Sequence, residues 1–444
     1  FMAPLCIMAM MTFSTVNLPT EVASIGEALA AHSFQAFLVG GCVRDLLMGA
    51  TPKDWDIATD ARPEEIQAIF PDSVYENTFG TVGVKTESED PTLKIIEVTT
   101  FRTEASYSDK RHPDEVKFAK TVEEDLARRD FTMNAIALVV GMGTAQKIID
   151  PYDGQADIKK KIIRAVGEPE ERFGEDALRL MRAVRFASQL GFKIEEKTRA
   201  AIRVKANLLE FVSSERIRDE LVKLLMAPGA VAGAVTMVDL GIMKHVLPEL
   251  LEGVGVGQNK HHIYTVFEHN LKSFEYAVDK KFTLDLRLAS FLHDVGKPRV
   301  KRGNGPDATF YGHQVVGERM VLKMLDRLRF PKHITERVAL LVREHMFVYD
   351  PDVVTEAGVR RFLRRVGPEN ADALIRLREA DRIGSGVPKA QPYRLRYLKA
   401  MIEKVQQDPV HPKMLKIRGD VIMEILKIEP GPRVGKILAI LLEE

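Results

Sequence analysis

The sequence predicts an α+β fold, in which a mixed sheet with helices forms the N-terminal third and the rest of the chain is almost wholly helical. Two β-branched runs, residues 81–85 and 93–102, are bounded by Gly80 and by a turn from Glu87 to Pro91, a pattern typical of strands. Beyond Gly154, amphipathic runs such as residues 217–226 instead predict helices. With 444 residues, the chain is long enough for roughly two to four domains.

Composition and charge favour an intracellular enzyme, for which we expect a cytoplasmic location. Cys6 and Cys42 are the only cysteines, so we expect no disulfide framework and no disulfide partner. A net charge of +1 argues against a uniformly basic surface, although a nucleic-acid enzyme needs only a local basic stripe. Residues 387–427 hold nine Lys or Arg against four Asp or Glu. This stretch predicts either a surface for a nucleic-acid backbone or a solvated helical face.

The apolar N-terminus, residues 1–11, is too short to span a bilayer and lacks the basic flank of a signal peptide. We therefore expect no membrane partner and interpret residues 1–15 as an N-terminal extension.

An apolar run that begins at Phe37 ends in Gly40 and Gly41, which predicts a buried strand that breaks into a loop. Backbone N–H groups in a loop without side chains can approach a polyphosphate, and Arg44 adds positive charge. This segment alone is a weak indication of phosphate binding.

Asp54 and Asp56 follow two residues apart in a second strand-like run, so a strand would place both carboxylates on one face. Two such carboxylates repel each other unless cations lie between them, which suggests a pair of divalent ions for phosphoryl or nucleotidyl transfer. The alternative is a solvated Asp-rich turn after Pro52. The glycine turn just upstream favours the metal site.

Glu97 could present a third carboxylate to this pair, or it could face outward with a salt-bridge partner. The segment that follows, residues 106–115, is charged and lacks apolar periodicity, which is typical of a mobile loop.

Two further polar segments accompany the acidic pair. Residues 128–135 open an apolar segment, so their polar members should cluster at the start of an element; an N-cap would explain Asp130 but not the whole set. Residues 175–186 predict a continuous helix with four charged side chains at intervals of three residues. These are Asp176, Arg179, Arg182 and Arg185.

These motifs resemble the nucleotidyltransferases that build or repair the CCA end of transfer RNA, in the class found in bacteria and eukaryotes, and their relatives the bacterial poly(A) polymerases. The resemblance is dense from about Phe37 to Phe192 and looser beyond. It implies a polymerase-β-like nucleotidyltransferase head, a mixed sheet with helices, followed by an all-α neck, body, HD domain and tail. The predicted bounds are 16–150 for the head, 151–212 for the neck, 213–255 for the body, 256–385 for the HD domain and 386–444 for the basic tail.

The resemblance also implies a role for each matching residue. Two Mg²⁺ ions would be held by Asp54 and Asp56, with Glu97 as a candidate third ligand, and Asp54 and Asp56 would be catalytic. The nucleotide would contact Gly40, Gly41, Arg44, Asp45, Arg102, Arg129, Asp130, Asn134, Asp176, Arg179, Arg182 and Arg185.

The family assigns base selection to Asp176 and Arg179, and hydrogen-bond chemistry explains how. Cytosine and adenine share an acceptor ring nitrogen beside an exocyclic amine, so a guanidinium donor and a carboxylate acceptor match both. Uracil and guanine would leave buried polar groups unpaired, at a cost of about 1–3 kcal/mol each. The alternative is an ordinary helical ion pair worth a few tenths of a kcal/mol.

A second cluster of ligand-type residues lies in the helical region. A His followed at once by Asp, with a His upstream and an Asp far downstream, resembles the HD family of metal-dependent phosphohydrolases. The resemblance implies His269, His293, Asp294 and Asp381 as core ligands, with His313 and His345 for a second metal. Imidazole and carboxylate could together hold Ni²⁺, Mn²⁺ or Mg²⁺ and activate water. Some family members hydrolyse phosphoesters at damaged RNA ends, whereas others keep the domain as a scaffold.

The predicted function is the stepwise transfer of CMP, CMP and AMP from CTP and ATP to the 3′ hydroxyl of transfer RNA. A loop at residues 106–115 implies competence to add A. The alternatives are an enzyme that adds only A, a poly(A) polymerase and, from another class, an HD phosphohydrolase or RNA-binding scaffold. The oligomeric state is not predicted.

Overall fold

A computed structural model of the chain describes residues 18–75, 80–105, 115–140, 147–259, 263–387, 389–406 and 417–443. It divides into two compact units, Phe1–Ser213 with Thr236–His245 and Ser214–Val235 with Val246–Glu444. The first unit combines a mixed sheet with helices and the second is built from helices, so the predicted α+β class is confirmed. The finer division into neck, body, HD domain and tail stays a prediction.

The strands of the first unit are short, and β-branched residues are most numerous in β4 (Thr81–Lys85) and β5 (Ile95–Thr100). They are β1 (Ala36–Val39), β2 (Asp56–Thr59), β3 (Ser73–Tyr75), β4 (Thr81–Lys85), β5 (Ile95–Thr100), β6 (Arg102–Ala105), β7 (Glu115–Phe118), β8 (Ala137–Val139), β9 (Ile148–Ile149), β10 (Ile162–Ile163) and β11 (Lys193–Ile194). The helices up to residue 205 are α1 (Thr20–Ala31), α2 (Gly41–Leu47), α3 (Pro63–Ile69), α4 (Val122–Ala127), α5 (Gly154–Lys160), α6 (Pro169–Glu175), α7 (Leu178–Leu190) and α8 (Glu196–Lys205).

A seven-stranded sheet in the order β3-β4-β5-β2-β1-β8-β9 positions the acidic residues. Strands β2 and β5 are parallel neighbours, and Asp56 is in register with Glu97. The buried core beside the sheet includes Phe37 and Phe101, whose ring centroids lie 5.8 Å apart. Because the central strands are anchored by this core, the positions at their ends are fixed.

Two predicted strands differ in their bounds from those observed. The run 93–102 forms β5 and the first residue of β6 rather than one strand. Strand β2 begins at Asp56, so Asp54 lies in the bend before it and the strand period does not relate the two carboxylates. The reason is that the ladder with β5 starts where the Glu97 N–H donates to the Trp55 carbonyl, at 3.1 Å.

The prediction of one continuous helix over 175–186 is wrong at its start. Helix α6 ends at Glu175, and Asp176 has an extended backbone with φ −137° and ψ 105°. Its carboxylate accepts a hydrogen bond from the Leu178 N–H at 3.0 Å, at the first turn of α7. Asp side chains bond to nearby backbone N–H groups in this way and therefore favour helix starts over helix interiors.

Beyond residue 213 the described residues form mainly helices, of which α13 (Val266–Asp279), α14 (Leu284–Leu292), α17 (Lys332–Glu344) and α19 (Pro368–Gly384) pack together around a core that includes the stacked rings of Phe274 and Phe291. The helices of this part are α9 (Ser214–Leu225), α10 (Ala230–Asp239), α11 (Met243–Val246), α12 (Pro248–Leu251), α13 (Val266–Asp279), α14 (Leu284–Leu292), α15 (Lys297–Val300), α16 (His313–Arg327), α17 (Lys332–Glu344), α18 (Glu356–Val366), α19 (Pro368–Gly384), α20 (Tyr393–Gln406), α21 (Gly419–Leu426) and α22 (Pro432–Glu443). None of the helices within the described ranges is long and apolar enough to cross a membrane.

The close approach of α5 to the segment after α4 gives a test of the fold. A Cβ at Gly154 would overlap with the Thr132 carbonyl oxygen and the Ile136 side chain, whereas a Cβ at Gly174 in α6 would meet nothing within 4 Å. We expect Gly154→Ala to lower the free energy of unfolding by about 1–3 kcal/mol through overpacking. Gly174→Ala, the control, should raise it by about 0.5–1 kcal/mol.

Urea unfolding followed by the fluorescence of Trp55, the single tryptophan of the chain, measures both changes. Equal stability of the two variants would contradict the packing of α5.

Candidate active site and metal centre

The acidic residues Asp54, Asp56 and Glu97 converge at one end of β2 and β5. Asp56 is half-buried, and the other two carboxylates are exposed. Burial raises the pKa of Asp56 to about 6, and the negative charges of Glu97 and Asp54 add to this shift, while Arg129 opposes it. Glu97 therefore lies close enough to act on the acidic pair. Three carboxylates are an oxygen-rich donor set that fits Mg²⁺.

A glycine turn lies against this acidic cluster. Gly40 has φ +78°, in the left-handed region that favours glycine. A Cβ at this position would lie 2.9 Å from Nη1 of Arg129 and 3.5 Å from Oδ2 of Asp56. The absence of a side chain thus lets the backbone approach both a cation and a carboxylate, and Gly41 begins α2 directly afterwards.

A chain of hydrogen bonds joins three separate segments of the predicted nucleotide site. Arg44 donates to Asp45 Oδ1 at 2.7 and 2.9 Å and, through Nη1, to Asn134 Oδ1 at 2.9 Å. Asn134 Nδ2 donates to Asp130 Oδ1 at 3.2 Å, and Arg182 Nε donates to Asp130 Oδ2 at 2.7 Å. Helix α2, the turn at 132–134 and helix α7 are therefore connected through polar side chains that the sequence predicted to share a site.

The electrostatics of Asp130 fit this role. Burial opposes ionisation of its carboxyl, but the guanidinium groups of Arg182 and Arg179 outweigh burial and lower its pKa. Asp130 is consequently an anion that fixes the direction of Arg182.

Asp125, which the sequence analysis missed, holds two of the arginines. Its buried carboxylate accepts from Arg128 at 2.7 and 2.9 Å and from Arg129 at 3.0 and 3.3 Å. Burial opposes its ionisation, yet Arg129 and Arg128 lower its pKa. The spacing of three and four residues on α4 was the available signal. The backbone N–H of Arg102 also points to Asp125, at 3.4 Å.

Arg179 pairs with Glu175 rather than with Asp176. Its Nη1 donates to Glu175 Oε2 at 2.5 Å and to the Arg172 carbonyl at 3.0 Å, and its Nη2 donates to the Arg128 carbonyl at 3.0 Å. Glu175 therefore forms the ion pair with Arg179 that the sequence offered for Asp176. The spacing of four residues between Glu175 and Arg179 was the available signal for this pair.

Arg182 and Arg185 of α7 have different partners. Arg182 is bound to Asp130, as described above. Arg185 is buried, donates to Gln189 at 2.8 Å and lies 3.9 Å from the ring centroid of Phe186. The stretch 106–114, which contains most of the predicted loop, is outside the described residues.

The second unit brings all six predicted HD residues together in its interior. They form two groups, and within each group the ligand atoms lie within 4.8 Å of one another. The first group is His269, His293 and Asp381, and the second is Asp294, His313 and His345. All six side chains are buried, which is costly for charged groups unless they are paired or bind a metal.

Asp294 lies between the two groups. Its Oδ2 is 3.1 Å from Nε2 of His269, and its Oδ1 is 3.2 Å from Nε2 of His313. Each oxygen of this carboxylate thus lies beside a different ligand group, so Asp294 would serve either group if metal ions were bound.

Backbone carbonyls fix the orientation of three of the imidazole rings. Nδ1 of each ring donates to a carbonyl three residues earlier, so in the neutral ring Nε2 carries the lone pair. The distances are 3.1 Å for His293 to Ser290, 2.8 Å for His313 to Phe310 and 2.7 Å for His345 to Val342. Nε2 of His313 and Nε2 of His345 then face each other at 3.2 Å, so that both rings, when neutral, could bind a cation.

The pKa shifts agree with a cation site. Burial, with His293 nearby, lowers the pKa of His345 to about 3, so this ring is neutral. Burial opposes ionisation of Asp294 and Asp381, but neighbouring cations and imidazoles hold both pKa values well below the usual range. Burial also disfavours a proton on His269, yet hydrogen bonds to Asp294 and Asp381 raise its pKa to about 9. A metal would take the place of that proton.

The raised pKa of Asp56 predicts a pH-dependent stability. Because the native group has a pKa of about 6 and an ordinary Asp 3.8, the native state binds more protons between these values, and its stability falls as the pH rises through them. We expect Asp56→Asn to stabilise the metal-free head above about pH 6 by about 1 kcal/mol, and to have little effect below about pH 4.

Urea unfolding followed by Trp55 fluorescence, at pH 8 and below about pH 4, measures the difference in stability between Asp56→Asn and wild type. Asp72→Asn, at a highly exposed carboxylate of the same unit, is the control and should give no such gain. An Asp56→Asn protein no more stable than wild type at pH 8 would contradict the crowding of the three carboxylates.

Three family models match successive parts of the chain. The family model described as "Poly A polymerase head domain" matches residues 36–164, "Probable RNA and SrmB- binding site of polymerase A" matches 191–253, and "HD domain" matches 266–384. A crystal structure of the Bacillus stearothermophilus CCA-adding enzyme in complex with CTP has a TM-score of 0.65 and 29% identity, covering 95% of this chain and 91% of that chain.

Two relatives show how similarity is distributed along the chain. The CCA-adding enzyme of Geobacillus thermodenitrificans is 48% identical, but over 52% of this chain and 55% of that enzyme. The match thus spans about half the length of that relative. The A-adding tRNA nucleotidyltransferase of Deinococcus radiodurans is 36% identical over 92% of this chain and 91% of its own length. The chain therefore belongs to the family of tRNA nucleotidyltransferases that carry a poly(A) polymerase head domain.

Proposed function

We propose that this enzyme adds or repairs the 3′-terminal CCA of transfer RNA, using CTP and ATP. The observation that carries the proposal is the convergence of the Gly40 turn, Arg129 and three carboxylates at one end of β2 and β5. A backbone turn beside a cation suits a triphosphate, and carboxylates suit the Mg²⁺ ions that accompany it. The likeness to a CTP-bound CCA-adding enzyme over nearly the whole chain supports the same ligand here.

The residues of the site divide the chemistry between them. Asp54 and Asp56 would hold the Mg²⁺ ions, with Glu97 as a third ligand. Bound Mg²⁺ supplies a lowered pKa for the attacking 3′ hydroxyl and charge stabilisation for the leaving pyrophosphate. Arg129 would bind the triphosphate, because Asp125 fixes its guanidinium beside Gly40.

Asp176 and Arg179 would select the base. Nη1 of Arg179 uses both of its hydrogens on Glu175 and the Arg172 carbonyl, while Nη2 uses one on Arg128. A guanidinium has five N–H donors in total. Two of them, one Nη2 hydrogen and the Nε hydrogen, therefore have no partner among the described residues. Those two donors could meet the ring nitrogen of C or A, with the Asp176 carboxylate accepting from the exocyclic amine.

The catalytic role of Asp56 gives the first functional prediction. We expect Asp56→Ala to reduce the rate of CMP incorporation into transfer RNA lacking CCA by at least about a thousandfold, because the metal ions would lose a ligand. Asp72→Ala, on the same unit but away from the acidic cluster, should keep wild-type activity. Near-normal CMP incorporation by folded Asp56→Ala would refute the proposed site.

The similarity to the whole length of an A-adding enzyme favours a second candidate, in which the protein adds only the terminal A. Three RNA substrates separate the candidates on one gel, each with CTP or ATP: transfer RNA lacking CCA, transfer RNA lacking only the final A, and an unrelated oligonucleotide. CCA addition extends the first with CTP. An A-adding enzyme extends only the second, with ATP. A poly(A) polymerase would extend all three with many A residues.

The two buried ligand groups of the second unit support an additional phosphohydrolase activity. Imidazole nitrogens and carboxylates that converge at the wall of a cavity suit two divalent ions that would activate water. The imidazole content favours Mn²⁺ or Ni²⁺ over Mg²⁺, which prefers oxygen ligands.

Hydrolysis of a 2′,3′-cyclic phosphate with added Mn²⁺ or Ni²⁺ tests this activity. We expect His293→Ala to lose hydrolysis and about one metal ion per chain, because one ligand group then lacks a ligand. His333→Ala, at an exposed histidine of α17, should lose neither. Metal content in His293→Ala equal to that of the control would contradict the metal site.

A further inference from the structure

We propose that the cavity beside the HD metal centre is a nucleotide subsite, in which Tyr311 stacks on the base and Arg382 binds the phosphate. This inference rests on the proposed metal centre of the same unit and goes beyond it by naming the residues that recognise the base and the phosphate. The cavity has a volume of about 630 Å³ and is lined by Asp294, His313, His345 and Asp381, so it opens directly onto the ligand groups.

The charges that line the cavity favour an anion. Lys297 and Arg378 are each neutralised by a carboxylate, Lys297 by Asp294 at 2.6 Å and Arg378 by Asp381 at 2.7 Å. Arg382 instead donates to the hydroxyl of Tyr349 at 3.1 Å and to a backbone carbonyl at 3.4 Å. Within the described ranges no carboxylate pairs with Arg382. It therefore carries an uncompensated charge into a cavity that bound metal ions would make still more positive.

Arg382 is also held in a defined position. It lies on α19 one residue after Asp381 and four residues after Arg378. The guanidinium of Arg378 lies 5.1 Å from the ring centroid of Tyr349, the same side chain whose hydroxyl accepts from Arg382. The two arginines and the tyrosine thus form one wall of the cavity beside a metal ligand, where a phosphate could contact both Arg382 and the metal ions.

The size and the apolar part of the lining indicate a larger ligand than inorganic phosphate. Small-molecule sites commonly have volumes of about 300–1,000 Å³, and 630 Å³ is in this range. Tyr311 lines the cavity and is 85% exposed, and Met346, also in the lining, is 52% exposed. An aromatic ring left in water two residues before the ligand His313 has little packing role and can stack on a nucleobase.

A nucleotide joins these two requirements, since it carries a planar base and a phosphate separated by a sugar. The same chemistry is presented by a free nucleoside monophosphate and by the terminal nucleotide of an RNA strand. Both sources would use Tyr311 for the base and Arg382 for the phosphate, and the experiment below distinguishes them.

Binding to the manganese-loaded full chain tests the inference without relying on turnover. The probes are the phosphonate analogues of AMP and of ribose 5-phosphate, which resist hydrolysis, and an RNA trinucleotide with a terminal phosphonate, measured by equilibrium dialysis. We expect Tyr311→Ala to weaken the AMP analogue about tenfold and to change the ribose analogue less than about twofold. Arg382→Gln should weaken both about tenfold. Tyr311→Phe should restore wild-type affinity because the ring is kept.

Two control variants remove the same residue types, a tyrosine and an arginine, at positions that do not line the cavity. Tyr393→Ala removes a tyrosine that is 66% exposed and does not line this cavity, and Arg376→Gln removes an arginine of α19 that is paired with Asp372. Both should bind all probes as wild type does. Nucleotide affinities in Tyr311→Ala and Arg382→Gln equal to those of the controls, with manganese still bound, would overturn the subsite alone. Failure of the wild-type chain to bind manganese would overturn the metal centre together with the subsite. Sensitivity to Tyr311 with the trinucleotide but not with the AMP analogue would assign the subsite to an RNA end.

Discussion

The mutual repulsion of three carboxylates at one end of a parallel strand pair is the constraint on which the head depends. The register of β2 and β5 places Asp56 beside Glu97, and Asp54 precedes it in a bend. Burial raises the pKa of Asp56, and the negative charges that folding brings together there raise it further. Arg129 partly compensates this negative charge, and its guanidinium fits there because Gly40 has no side chain. A metal-bound triphosphate matches the arrangement, because its cations meet the carboxylates and its phosphates meet the arginine.

The supporting arginines are fixed by anions that lie outside the acidic cluster. Asp125 holds Arg128 and Arg129, and Asp130 holds Arg182. Glu175 holds Arg179 in the same manner. Each carboxylate holds a flexible arginine side chain in one orientation before any ligand binds. The side chain therefore loses less conformational entropy on binding. In the second unit, imidazole rings, three of them oriented by backbone carbonyls, make up most of the two ligand groups, where the first unit uses carboxylates.

The sequence motifs predicted which residues lie together in each site. The local backbone conformation and the hydrogen-bond partners of these residues could be read only from the structure. The α+β class and the six buried HD residues were accessible because strand composition and the His-Asp pair are local signals. The break between α6 and α7 at Asp176 could not be predicted, because the helical periodicity of the sequence continues through it. Only the hydrogen bond from the Leu178 N–H to the Asp176 carboxylate shows where α7 begins. The partner choice of Arg179 and the position of Asp294 between the two ligand groups depend on contacts between distant or competing groups, which spacing alone does not rank.

A crystal structure of the enzyme with CTP and Mg²⁺ tests the central claim most directly. The account predicts metal ions bound between Asp54, Asp56 and the triphosphate, with the phosphates against the Gly40 turn and Arg129. It also predicts hydrogen bonds from the cytosine edge to Asp176 and Arg179. A triphosphate bound away from the three carboxylates, or a base that contacts neither Asp176 nor Arg179, would contradict it.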